Sequence, residues 1–133
     1  MKKQQIPACI LLGISIVAAI GSVTFLGPCV HEDGTTGACT WAGRVLTGEG
    51  CLMAVFALIA LLVSRARFGI YLGSAALSVL AILTPGTLIA LCRMDSMRCR
   101  SVMQPAMILL FAAAGLAALA GAVFCGKKDG PRY

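Results

Sequence analysis

"FGIYLGSAALSVLAILTPGTLIAL", residues 68–91, runs from end to end without a charged side chain. At ~1.5 Å per residue, roughly 20 apolar residues cross the ~30 Å hydrocarbon core of a bilayer, so this stretch is long enough to span one as a helix. Working outward, the tight basic turn "SRAR" (64–67) separates it from a second apolar run at about 41–64. Two more runs follow the same rule, at 6–26 and about 102–125. The composition agrees with them. The 133 residues are 59% hydrophobic and 12% charged, with mean hydropathy +0.94, whereas a soluble domain carries about 25% charged residues. The expected fold class is therefore all-α: an integral membrane four-helix bundle of up-down-up-down topology, forming a single four-span domain over residues 1–133. Its first span reads as a retained helix, because its apolar stretch exceeds the ~7–15 residues of a signal-peptide core. No A-x-A site follows it, and "FLGPC" (25–29) has proline where a lipoprotein signal has a small residue.

Lysine and arginine near the span ends set the orientation. Lys2, Lys3, Arg65, Arg67, Lys127, Lys128 and Arg132 fall on one side, against Arg44, Arg93, Arg98 and Arg100 on the other. This bias places both termini in the cytoplasm of a bacterial cytoplasmic membrane and turns the 27–40 and 92–101 loops outward. The net charge of +6 belongs to these membrane-flanking residues, and no basic-aromatic surface for nucleic acid accompanies it.

Both outer loops are bracketed by cysteine: Cys29 and Cys39 in the first, Cys92 and Cys99 in "CRMDSMRC" (92–99). Cys9, Cys51 and Cys125 fall within spans or at their cytoplasmic ends. Four cysteines allow three pairings. Loop-local disulfides are the expected pairing, because each pair closes a short hairpin whose helix tips lie near the ~5.5–6 Å Cα separation of a bridge, in an oxidising compartment. Closing each loop stabilises the fold by up to roughly 3 kcal/mol in the chain-entropy account. A cross-hairpin pairing would tie the two halves of the bundle together instead.

Other chemistry is weaker. Cys92, Met94, Met97 and Cys99 are a conceivable Cu(I) set, and the four outer cysteines a conceivable zinc set. Arg93, Arg98 and Arg100 repel a cation there, so no metal or cofactor is expected. Two outer cysteine pairs on four spans resemble, in outline, the quinone-linked thiol oxidases, but those carry Cys-x-x-Cys, which does not occur here. His31 is the single histidine, beside Glu32 and Asp33 in a loop, and reads as solvated. No catalytic residue is assigned.

Two ionisable residues enter the second span. Starting that helix at Gly50 would leave about 15 residues to Ser64, roughly 22 Å, too short to cross. The span must therefore recruit 40–49, which places Trp41 at the outer interface and Glu49 some 12 Å deeper at ~1.5 Å per residue. An acid at that depth belongs in the bundle interior, at a partner or against water. Arg44 can snorkel outward or approach Glu49. Gly69 and Gly73 form Gly-x-x-x-Gly on the third span. Ala113, Ala117 and Gly121 form a small-residue stripe on the fourth, with Ala114, Ala118 and Ala122 beside it. Such faces let helices approach closely, inside the bundle or against another membrane protein.

"FLGPC", "CTW" (39–41), "LTPGTLIALC" (83–92), "MRCR" (97–100) and "QPA" (104–106) together resemble a family of small bacterial four-span membrane proteins known as a domain of unknown function. The matching positions are Cys29, Cys39, Trp41, Pro85, Cys92, Met97, Cys99, Arg100 and Pro105. Thr40 and Ala42 stand where that family has histidine and threonine. The resemblance implies the topology and the four outer cysteines, not an activity. The expected role is a noncatalytic accessory or subunit protein bound in the lipid bilayer to another integral membrane protein, or to further copies of itself. A bacterial ABC-type transporter permease is the first partner to test. A membrane thiol-disulfide oxidoreductase using the outer cysteines is the alternative, followed by a small transporter or a soft-metal binder. On topology, a fluorescent reporter that matures only in the cytoplasm should be active when fused after Tyr133, and a reporter active only outside the cell should be silent there; the reverse result refutes the orientation.

Overall fold

The computed structural model describes residues 3, 5–26, 37–91, 93 and 99–127, with Cys99 described through its backbone alone. Four helices account for most of them: α1 (Ile6–Val23), α2 (Ala38–Leu62), α3 (Arg67–Leu83) and α4 (Gln104–Gly126). A 3-10 turn, Ser64–Ala66, joins α2 to α3, and a π-helical stretch, Cys99–Met103, leads into α4. Four helical segments are long and apolar enough to cross a membrane, as in a multi-pass membrane protein. Among the described residues no β-strand forms; a single bridge joins Pro85 and Ile89.

The helices pack in a ring, α1 on α2, α2 on α3, α3 on α4 and α4 back on α1. Large apolar side chains such as Val17, Leu58, Leu72 and Leu116 point outward, toward lipid. The inward faces hold small residues and a few long ones. In the half of the bundle near the termini, Ala8, Ala60, Tyr71, Ala122 and Cys125 form one buried cluster. The larger cluster, with Leu11, Leu46, Met53, Met103, Met107 and Phe111, fills the rest. Water-driven burial contributes little between helices in lipid, so close packing must hold the ring together. Two contacts show how close it is. A Cβ on Gly50 would stand 3.1 Å from the backbone nitrogen of Ala19, and one on Gly121 would stand 2.7 Å from the Tyr71 ring.

Backbone groups at the helix ends find specific partners. Arg67 is buried, and its Nε donates to the Ala60 carbonyl at 2.7 Å while Nη2 reaches the Leu61 carbonyl at 3.4 Å. An arginine counted above as a membrane-flanking charge thus caps the last turn of α2, whose final carbonyls have no helical donor. At the other end Ser22 and Thr47 share a hydroxyl hydrogen bond of 2.7 Å between α1 and α2.

The third span departs from its expected extent of 68–91. α3 stops at Leu83, and residues 84–91 run as irregular backbone. Pro85 has no N–H and crowds a helical residue before it, so the ladder cannot continue. Gly86 then adopts φ +96°. Hydropathy across 84–91 is high enough to span, but hydropathy does not register a broken ladder.

The small-residue faces divide between the core and the surface. Gly69 is exposed with open space where a Cβ would stand, and Gly73 is half-buried with Phe56 at 3.8 Å, so Gly-x-x-x-Gly is not an internal seam. On α4 the buried positions are Ala114, Ala118, Gly121 and Ala122, whereas Ala113 is exposed and Ala117 half-buried. The register of α4 is set by Phe111 and Gly121, which fill and receive the core, and this rotates Ala113 outward. Gly121→Val should therefore lower thermal stability in detergent by about 1–3 kcal/mol, the usual cost of overpacking, whereas Gly69→Val should stay within about 0.5 kcal/mol of wild type; equal effects of the two would contradict this packing.

Candidate functional site

Glu49 lies eleven residues into α2, about 16 Å from its start at ~1.5 Å per residue. It occurs in the inward series Leu46, Glu49, Gly50 and Met53, and only 8% of its surface is exposed. Its neighbours in that series are apolar, so local sequence offers it nothing. Its partner comes from α3: the Thr84 hydroxyl lies 3.1 Å from Glu49 Oε1 as a donor. Glu49 Oε2 is buried without a hydrogen-bond partner among the described residues.

Thr84 is the residue at which α3 breaks. Its N–H and its hydroxyl both approach the Leu80 carbonyl, at 2.9 Å and 3.0 Å. The hydroxyl carries one proton, so it can serve Leu80 or Glu49 at one moment, not both. Beyond it, the Gly86 N–H donates to the Ile89 carbonyl at 3.0 Å, Leu88 N–H to Leu83 at 3.1 Å and Ile89 N–H to Thr84 at 3.0 Å. Among the described residues, no backbone N–H of this rearrangement reaches the Ala81 or Ile82 carbonyl. Ala81 would have been served by residue 85, which is proline, and Ile82 by Gly86, which donates elsewhere. Irregular backbone at membrane depth survives only where protein or a cavity surrounds it. Here Gln104 at the start of α4 supplies part of that cover, its Nε2 reaching the Pro85 carbonyl at 3.4 Å. The site thus joins α2, α3 and α4: a lone acid, a hydroxyl, a broken helix end and a primary amide.

Arg44 takes the outward course. Its guanidinium carbon stands 5.1 Å from the Trp41 ring centroid, a cation-π contact, and Trp41 is exposed at 55%. No side-chain cation meets either oxygen of Glu49 among the described residues. Ser74 adds a second orphan, its Oγ buried and unpartnered on α3. Among the described residues no three His, Cys, Asp or Glu side chains converge. Of the four outer cysteines only Cys39 is described with its side chain, buried in the first turn of α2. Both expected staples, Cys29 to Cys39 and Cys92 to Cys99, involve atoms outside the described residues, as do His31, Met94 and Met97.

Sequence reasoning kept Glu49 away from lipid, in the bundle interior, at a partner or against water, and did not single out Thr84, Gly86 or Gln104. The available signal was the pair Pro85-Gly86 inside an apolar run. Two lateral grooves also open toward lipid. One, about 600 Å³, lies between α3 and α4 and includes Ala75, Ala76, Ala112 and Gly115. The other, about 370 Å³, lies between α1 and α4 and includes Pro7, Ala117 and Ala120.

The model of a protein family described as Domain of unknown function (DUF4418) matches residues 9–125. No curated protein and no solved structure matches the chain. The break itself is open to test. Gly86 combines a left-handed φ with a Cβ position 2.7 Å from Gln104 Nε2, so Gly86→Ala should cost about 1–3 kcal/mol. Adding Gln104→Ala should recover only the steric part in thermal unfolding; full recovery would show that φ carries no strain.

Proposed function

The chain belongs to the DUF4418 family, and we propose that it acts as a noncatalytic integral membrane subunit that docks on a larger membrane complex. The observation that carries this reading is the groove between α3 and α4, of about 600 Å³. On α3 it runs from Leu72 to Ile82, about 15 Å at ~1.5 Å per residue, or nearly three helical turns. Ala75, Ala76, Ala112 and Gly115 line it, and small residues of this kind let a further helix bring its backbone close. Its occupant in this proposal is a transmembrane helix of the partner protein. The flanking Leu72, Leu116 and Leu119 supply the packing rim that such a helix would meet.

The orientation with both termini in the cytoplasm of a bacterial inner membrane is part of the same proposal, resting on the lysine and arginine distribution. So are the outer staples Cys29–Cys39 and Cys92–Cys99, which would hold the two hairpins at a fixed spacing while the helical face is engaged. A permease of the ABC transporter type is the first partner class to test.

A photo-crosslinking residue at position 72 or 116 of the full-length chain, in its native membrane, should trap one defined membrane protein. The same residue at exposed Ile16 on α1 should not. Ala76→Phe, at an exposed position that lines the groove, should abolish the crosslink while leaving the purified chain folded by circular dichroism. Crosslinks to lipid alone, or equal trapping from position 16, would overturn the proposal.

A further inference from the structure

We propose that Glu49, Thr84 and the broken C-terminal end of α3 form an intramembrane binding site for one small monovalent cation of the sodium class. The first ground is the orphan. Glu49 is more than nine-tenths buried, its Oε1 accepts from Thr84, and its Oε2 has no partner. A buried carboxylate half-served in this way is costly, and in lipid a charged side chain costs about 2.5 kcal/mol or more toward the bilayer centre.

The second ground is the sign of what surrounds it. A helix C-terminus carries roughly half a negative charge on its free carbonyls, and α3 ends at the residue that touches Glu49. Proline at 85 removes the donor for the Ala81 carbonyl, and the turn redirects the Gly86 N–H from Ile82 to Ile89. Carboxylate and helix end thus bring like charge together. Arg44 turns to the Trp41 ring and Arg67 to the carbonyls of α2. A bound cation resolves both features at once, because discontinuous helices in membranes offer unwound carbonyls and half-helix C-termini as cation ligands.

The donor set selects the ion. All the donors are hard oxygens: two from the carboxylate, one from the Thr84 hydroxyl and carbonyls from the helix end. Such ligands favour alkali and alkaline-earth ions over soft metals. With no three acidic or ligating side chains converging among the described residues, the single carboxylate neutralises one positive charge. A divalent ion would leave a net charge buried in lipid. When the ion is bound, the Thr84 oxygen can face it with a lone pair while its one proton goes to Leu80.

The full-length chain in lipid nanodiscs, with radiolabelled sodium as probe, should bind one ion per chain saturably. Its unfolding temperature should rise with sodium chloride relative to choline chloride at equal ionic strength, as a ligand of the native state requires. Potassium and calcium chloride measure selectivity, and calcium binding more tightly than sodium would overturn the assignment of charge. Glu49→Gln preserves shape and should abolish binding and the sodium-dependent stabilisation. Thr84→Val should weaken binding by about tenfold or more, the loss of roughly one hydrogen-bond-sized interaction. If Glu49→Gln fails to fold, wild type alone decides the matter, since absence of saturable sodium binding refutes the site. An infrared signature of a protonated carboxyl at neutral pH, lost in Glu49→Gln and unaffected by sodium, would identify a neutral acid instead and also overturn it.

Discussion

In hydrocarbon, every backbone N–H and carbonyl must be satisfied by the protein itself, and the architecture follows from how that demand is met where helices end. Two of these ends are handled by three side chains. Arg67 bonds the last carbonyls of α2. Thr84 doubles the bond to Leu80, and Gln104 reaches across from α4 to the Pro85 carbonyl. These bonds fix the ends of α2 and α3 against their neighbours. The apolar helix faces could slide past one another at little cost, whereas a misplaced cap leaves a polar group in oil.

Between the ends, the bundle is held by proximity. Gly50 against Ala19, Gly115 against Ser78 and Gly121 against the Tyr71 ring are places where one more carbon would meet an atom at 2.7–3.2 Å. Long apolar side chains are spent mostly on the perimeter, where they meet lipid tails as apolar as themselves. The interior instead uses alanine, glycine, serine and three methionines, Met53, Met103 and Met107. Methionine's flexible thioether fills the irregular space left between close backbones. Two of the serines cost little there, because Ser15 and Ser78 each return their hydroxyl to the carbonyl four residues back, at 2.6 Å and 2.8 Å.

Four apolar helices, and the depth at which Glu49 enters the second, were legible in the sequence because hydropathy and length are sums over many residues. What hydropathy could not carry was any feature set by one hydrogen bond or one torsion. The run 68–91 is apolar throughout, yet the missing N–H of Pro85 and the positive φ of Gly86 end its helix at Leu83. Arg67 entered the sequence reading as one charge in a bias, but nothing in the pattern announced that its guanidinium turns back onto α2. Small-residue motifs left open which face packs inside, for a related reason. Gly69 and Gly73 share a face by spacing, but which face turns inward is decided by the largest groups. Tyr71 and Phe111 claim the centre, so Gly69 and Ala113 are carried to the surface.

The position of Glu49 is the strongest sign that the interior does more than pack. An α2 with leucine or methionine there would continue the series Leu46 and Met53 without a buried charge, and replacing buried ionic groups by apolar ones of similar volume is often stabilising by about 1–4 kcal/mol. The break in α3 compounds the cost, since uninterrupted helix would satisfy the carbonyls of Ala81 and Ile82. Either feature alone could be accommodated as a local irregularity. Together they meet at one hydroxyl, Thr84, which belongs at once to the helix end and to the acid. Two independent departures from the least costly helical bundle converging on a single oxygen is the arrangement expected when a third component, carried by neither helix, completes the site.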